Sequence, residues 1–112
     1  MPDTNAYDVA GPPGAPTIVF LHGMRVTRKM WKSQMERLAN SYRLIALDLP
    51  GHGALSNIPF RLDGAVTTIA EVINREGRNA RALVVGISLG GYVSMEFGAR
   101  YPEKTVGLVI AS

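Results

Sequence analysis

The 112-residue sequence predicts an α/β fold, a mostly parallel sheet with helices on its faces. Three observations carry this reading. Short apolar runs alternate with segments whose apolar residues recur every three or four positions. Glycine-bearing turns follow three of the apolar runs. At Gly86-Ile87-Ser88-Leu89-Gly90-Gly91 the pattern passes from strand to helix within one turn.

Residues 1–16 are polar and rich in Pro and Gly. They are expected to be partly disordered, with Tyr7-Asp8-Val9 as the stub of an edge strand. Thr17-Ile18-Val19-Phe20-Leu21 is a strong strand, apolar and β-branched. Trp31, Met35, Leu38 and Ala39 stand at helical spacing and predict a helix over 27–40. Tyr42 to Leu47 is the next strand, and Pro50 to Pro59 a loop. Leu62, Val66, Ile69, Ala70 and Ile73 repeat the helical template, and Gly77 is its stop signal. Ala82-Leu83-Val84-Val85 reads as a buried strand. Val93 and Phe97 continue the helical spacing from Leu89 to about Arg100, where Pro102 ends it. Val106 to Ala111 is the last strand.

Composition narrows the function classes. Hydrophobic residues make up 46% and charged residues 19%, so the chain has the balance of one small globular domain. The net charge of +3 is dispersed, except for Arg25, Arg28, Lys29 and Lys32. Those four are expected on a solvated helix face, and no interleaved aromatics argue for nucleic acid. With no cysteine, a disulfide scaffold and a thiolate metal site are excluded. The longest uncharged stretch, 82–95, is too short for a membrane helix and is broken by glycines. A cytoplasmic protein with a small-molecule substrate, and with neither nucleic acid nor membrane as partner, is the expectation.

The chemistry concentrates in the three turns. In a parallel sheet, turns that follow strands gather at the carboxyl edge, where ligands bind. The first turn is Leu21-His22-Gly23-Met24, the second Asp48-Leu49-Pro50-Gly51-His52-Gly53, and the third holds Ser88. A serine between Gly86 and Gly90 on a strand-to-helix turn has its hydroxyl pushed clear of the backbone, above a fresh helix N-terminus. The flanking glycines are read as positions where side chains would collide with the backbone and the neighbouring strand. Gly51-x-Gly53 could suggest a dinucleotide site, but Ser56 occupies the third glycine position and no helix opens there. His22 and His52 stand thirty residues apart with no cysteine or acidic cluster between them, so no metal site is expected. Nor is any cofactor.

The order and context of these turns resemble the α/β-hydrolase family, of the serine esterase, lactonase and C–C-bond hydrolase kind. The resemblance covers about Tyr7 to Ser112. It implies that Ser88 is the nucleophile and that the backbone N–H groups of Met24 and Leu89 form the oxyanion hole. His22, Gly23, Gly86 and Gly90 would support these loops, with Asp48 and Ser56 tying down the second turn. The chain order of this family is serine, acid, then histidine, which argues against His22 or His52 as the base. Relatives that open epoxides or remove halogens carry aspartate at the elbow, so Ser88 points instead to ester, lactone, thioester or related carbonyl substrates. Acyl transfer and lyase chemistry occur on the same fold.

After Ser88 the sequence has no histidine, and its carboxylates are Glu96 and Glu103. By resemblance, Ser112 falls after the sixth of eight strands. The expectation is therefore an N-terminal half of a truncated α/β-hydrolase fold, whose catalytic acid and histidine lie elsewhere. The 106–111 strand is expected as an exposed apolar edge open to self-association. The competing reading is a non-catalytic interaction module that uses this edge.

Overall fold

The computed structural model describes residues 3–112. Met1 and Pro2, part of the segment expected to be disordered, lie outside the described residues. A 3-10 turn, Thr4–Ala6, leads into β1 (Tyr7–Ala10). Then follow β2 (Thr17–Leu21), α1 (Lys32–Leu38), β3 (Arg43–Leu47), α2 (Leu62–Glu76), β4 (Ala82–Ile87), α3 (Leu89–Arg100) and β5 (Thr105–Ala111). The strands form one five-stranded sheet in the order β1-β3-β2-β4-β5. β1 runs antiparallel to β3, and every other pair is parallel. This is the expected fold class: a mostly parallel sheet with helices on both faces.

The period-2 alternation of the strands sends their residues to two cores. Val19 and Leu21 of β2, Ile45 and Leu47 of β3 and Val84 of β4 face α2 and α3, where they meet Val66, Ile69, Ile73 and Phe97. Ile18 and Phe20 of β2, with Leu44 and Ala46 of β3, face the opposite side and pack on Trp31. β2 is buried along its whole length, as a central parallel strand should be.

Three features differ from the sequence expectation. The helix expected over 27–40 is interrupted: a 3-10 turn, Arg28–Trp31, precedes α1. Thr27 caps that turn by accepting from the Lys29 N–H at 3.2 Å. Burial of Trp31 against Phe20, with ring centroids 4.9 Å apart, fixes the turn before the helix winds. Arg28 is not solvated. Its side chain is 13% exposed and pairs with the carboxylates of Asp48 and Asp8. Gly77 does end α2, but at φ −87°, not in the left-handed conformation usual for such a stop. A Cβ there would stand 2.8 Å from the carbonyl oxygen of Ile73, so space rather than dihedral freedom demands glycine.

β5 is the second edge strand, hydrogen-bonded to β4 alone within this sheet. Val106, Leu108, Val109 and Ile110 on it are all exposed. Among the described residues, no helix is long and apolar enough to cross a membrane.

Candidate active site

The strand order places the site before any side chain is considered. From β2 the chain steps to β3 on one side, and later to β4 on the other. The carboxyl ends of β2 and β4 therefore flank the topological switch point, where open α/β sheets bind ligands. β2 ends at Leu21, paired with Gly86 of β4. The turn after β2 begins at His22, and the turn after β4 is Ser88.

Ser88 is exposed and adopts φ 56°, ψ −118° between β4 and α3. A left-handed φ on a residue with a Cβ is strained, of order 1–3 kcal/mol, and persists only where the surroundings impose it. Here they do. The Ser88 N–H donates to the carbonyl of Ala111 in β5 at 2.9 Å, and its own carbonyl accepts from Tyr92 N–H at 3.1 Å. Gly86 and Gly90 make the turn sterically possible. A Cβ on Gly86 would lie 2.3 Å from the Gly90 carbonyl oxygen. A Cβ on Gly90 would lie 2.3 Å from the carbonyl oxygen of Leu21 and 2.6 Å from that of His22. The elbow helix thus packs directly on the end of β2, which brings the two turns together.

Gly23 completes the approach. A Cβ there would sit 3.4 Å from the Ser88 Cβ, so the first turn runs beside the serine. Met24 follows and is 59% exposed. Leu89 is the first residue of α3, and N–H groups in that first turn have no partner within the helix. Its side chain is partly buried against the core beneath α2 and α3. Trp31 is buried in the opposite core, stacked on Phe20.

His22 is fully buried. Its Nε2 accepts from the Leu49 N–H at 2.9 Å, which fixes it as unprotonated. Its Nδ1–H then donates to the Gly23 carbonyl at 2.7 Å. Burial pushes its pKa below the ordinary imidazole value, with help from the nearby His52 ring. The Gly23 carbonyl and the Asp48 charge oppose that shift. His52 is half-buried, its Nδ1 3.1 Å from the Pro50 carbonyl and its ring 4.9 Å from that of His22. Asp48 is buried and accepts from the backbone N–H groups of Arg28 and Ala54 at 2.8 and 2.9 Å. Its pairing with the Arg28 guanidinium was not legible in the sequence, because the two residues lie twenty positions apart. Ser56 stands exposed and joins the second turn through its backbone, donating to the Gly53 carbonyl at 3.2 Å.

The remaining carboxylates after Ser88 do not approach it. Glu96 pairs with Arg100 one turn along α3, and Glu103 is exposed in the 3-10 turn Pro102–Lys104. Among the described residues, no three His, Cys, Asp or Glu side chains gather to hold a metal ion. A cavity of about 520 Å³ opens at the amino ends of β2 and β4, lined by Ile18, Leu38, Arg81, Leu83 and Val106. It lies at the opposite end of the strands from Ser88 and serves no part of this arrangement.

Comparison with known proteins agrees with the geometry. A family model described as alpha/beta hydrolase family matches residues 18–112. An AB hydrolase superfamily protein of Gibberella zeae is 31% identical over 99% of this chain, which spans 40% of that relative. Epoxide hydrolase 4 of Homo sapiens is 28% identical over 93% of the chain, which spans 30% of it. A thermophilic esterase from Thermogutta terrifontis superposes with a TM-score of 0.81 at 26% identity, covering 96% of this chain and 40% of the esterase. The chain thus spans well under half the length of these relatives. A strained serine on a glycine-flanked elbow, set at the switch point of a mostly parallel sheet, and a family match over residues 18–112 identify the chain as a member of the alpha/beta hydrolase family.

Proposed function

We propose that this chain carries the nucleophile and oxyanion hole of a serine hydrolase acting on an ester, lactone, thioester or related carbonyl. The observation that supports it most is Ser88, exposed and held at φ 56° where the turns after β2 and β4 meet. As a base outside this sequence takes the hydroxyl proton, Ser88 Oγ attacks the carbonyl carbon, and the displaced electron pair moves to the carbonyl oxygen. The N–H groups of Leu89 and Met24 receive that oxyanion. Each such donor is worth about 2.7–4 kcal/mol of transition-state stabilisation. Collapse expels the leaving group, which takes up that proton, and leaves an acyl-enzyme on Ser88, which water or another acceptor then opens. Opening an epoxide through an enzyme ester requires a carboxylate nucleophile, which position 88 does not supply.

Neither histidine suits the role of base. His22 has both ring nitrogens engaged, one with Leu49 and one with Gly23. His52 leans on its own loop carbonyl. The base and acid are assigned to residues outside this sequence, in keeping with the greater length of the relatives. Without a base the serine hydroxyl is a weak nucleophile. The 112-residue chain should therefore turn over an activated ester only slowly.

The test is labelling by a fluorophosphonate. The whole gene product should carry the label on Ser88 and lose it in Ser88→Ala. Labelling that survives Ser88→Ala would refute the assignment. A second reading, an interaction module, is supported by the exposed apolar residues Val106, Val109 and Ile110 along the β5 edge. A stable dimer of the pure chain with an unreactive Ser88 would favour it.

A further inference from the structure

The two oxyanion donors named above stand on different supports. Leu89 is fixed by α3, whose first turn packs on β2 through Gly90. Met24 lies in a loop, Gly23 to Thr27, that is exposed at Met24, Arg25 and Val26. Both ends of that loop are tied to two consecutive residues at the end of β3. At the start, the His22 ring joins the Gly23 carbonyl to the Leu49 N–H. At the far end, the Arg28 N–H donates to Asp48 Oδ1 at 2.8 Å, and the Arg28 guanidinium donates to Oδ2 of the same carboxylate.

This second anchor is buried. The Asp48 side chain is 2% exposed and that of Arg28 13%. Oδ2 also takes the Ala54 N–H at 2.9 Å, which locks the second turn to the same carboxylate. A Cβ on Gly53 would fall 2.3 Å from Oδ2, so a bare backbone lets the carboxylate sit there. On its other side Arg28 Nε lies 3.1 Å from Asp8 of β1. That N–H does not point at an acceptor, so the contact is one of charge rather than a hydrogen bond. Arg28 thus meets both oxygens of the carboxylate, one through its backbone N–H and one through a single guanidinium N–H, and the planar guanidinium spans from Asp48 to Asp8 as a lysine ammonium does less well.

We infer that Arg28 and Asp48 are positioning residues for the site. They set the Met24 N–H through the β2 loop and leave the Leu89 N–H untouched. The inference rests on the reading of Met24 and Leu89 as oxyanion donors. It assigns their alignment to a buried ion pair that touches neither substrate nor nucleophile.

The experiment uses the whole gene product, labelled with nitrogen-15 and phosphonylated to completion at Ser88 with a fluorophosphonate. Reaction in stoichiometric amount needs no turnover. In the wild type, the Met24 and Leu89 amide protons should both move downfield on adduct formation. In Arg28→Met the Leu89 shift should persist, the Met24 shift should fall by at least about half, and phosphonylation should slow about tenfold or more. A fully lost donor costs about 10²–10³ in rate. Arg28→Lys should restore most of the Met24 shift. Should Arg28→Met fail to fold, the double variant Arg28→Met with Asp48→Asn removes both buried charges together. Equal Met24 and Leu89 shifts in wild type and variant would overturn the inference, as would loss of both together. If wild-type Ser88 takes no phosphonate, the proposed function fails instead. Positioning is then read from the Met24 and Arg25 amide order parameters, which should drop in the variant; unchanged values would overturn it.

Discussion

Replacing Gly90 by alanine tests whether the elbow helix is seated on β2 as described. Within a helix, glycine to alanine ordinarily stabilises by about 0.5–1 kcal/mol, because alanine loses less backbone entropy on folding. At Gly90 the new Cβ would meet the carbonyl oxygens of Leu21 and His22 at 2.3 and 2.6 Å. Both are backbone atoms of a fully buried strand end, so neither can swing aside as a flexible side chain would. Relief requires α3 to lift from β2. Overpacking of this kind costs about 1–3 kcal/mol, which outweighs the helix gain. Gly64 supplies the control. It lies in the first turn of α2, and nothing stands within 4 Å of a Cβ placed there. One substitution made at two helical glycines should therefore give opposite signs. Gly64→Ala should raise the urea midpoint, and Gly90→Ala should lower it by about 1–2 kcal/mol equivalent after the helix gain is subtracted. A Gly90→Ala variant as stable as Gly64→Ala would refute the packing of the elbow on β2. The site built from that packing would go with it.

Further outcomes follow from the same geometry. Because Ser88 holds a positive φ, Ser88→Gly should be more stable than Ser88→Ala by about 1 kcal/mol, the reverse of the usual ranking, as read by thermal melts. His22 is folded neutral with its pKa lowered, so both states are neutral above the unfolded value near 6.5. As pH falls below about 6.5 the unfolded chain takes the proton first, and stability should drop by at most about 1.4 kcal/mol per pH unit until the folded pKa is reached. That slope between pH 7 and 5 should shrink in His22→Gln. Asp48→Ala should destabilise by about 3–5 kcal/mol, since the backbone N–H groups of Arg28 and Ala54 would lose their acceptor and the Arg28 guanidinium would keep only the half-exposed Asp8. Val109, half exposed on β5, should tolerate Val109→Lys within about 0.5 kcal/mol while self-association in sedimentation falls.

What the sequence made legible was the elbow and its company. Gly86, Ser88 and Gly90 announce themselves because periodicity changes around them, and β2 to β5 each carry an apolar run, whereas β1 offers only Tyr7 and Val9 around Asp8. The reason for Gly90 was only half visible: its neighbours are the Leu21 and His22 carbonyls, nearly seventy residues earlier in the chain. Arg28 was misread for a similar cause. Its local context is a basic stretch that looks solvated, and only the pairing of β3 with both β1 and β2 brings Asp48 and Asp8 to it. Apolar spacing correctly located α1 but not its start, because the 3-10 turn Arg28–Trp31 is imposed by tertiary contacts of Arg28 and Trp31. The strand order, and with it the switch point, is not written in any local pattern.

The most direct test of the central claim is a crystal structure of the whole gene product phosphonylated at Ser88. The account requires the phosphoryl oxygen to lie about 2.7–3.1 Å from both the Met24 and the Leu89 backbone nitrogens. A phosphoryl oxygen turned to solvent, out of reach of both, would contradict it.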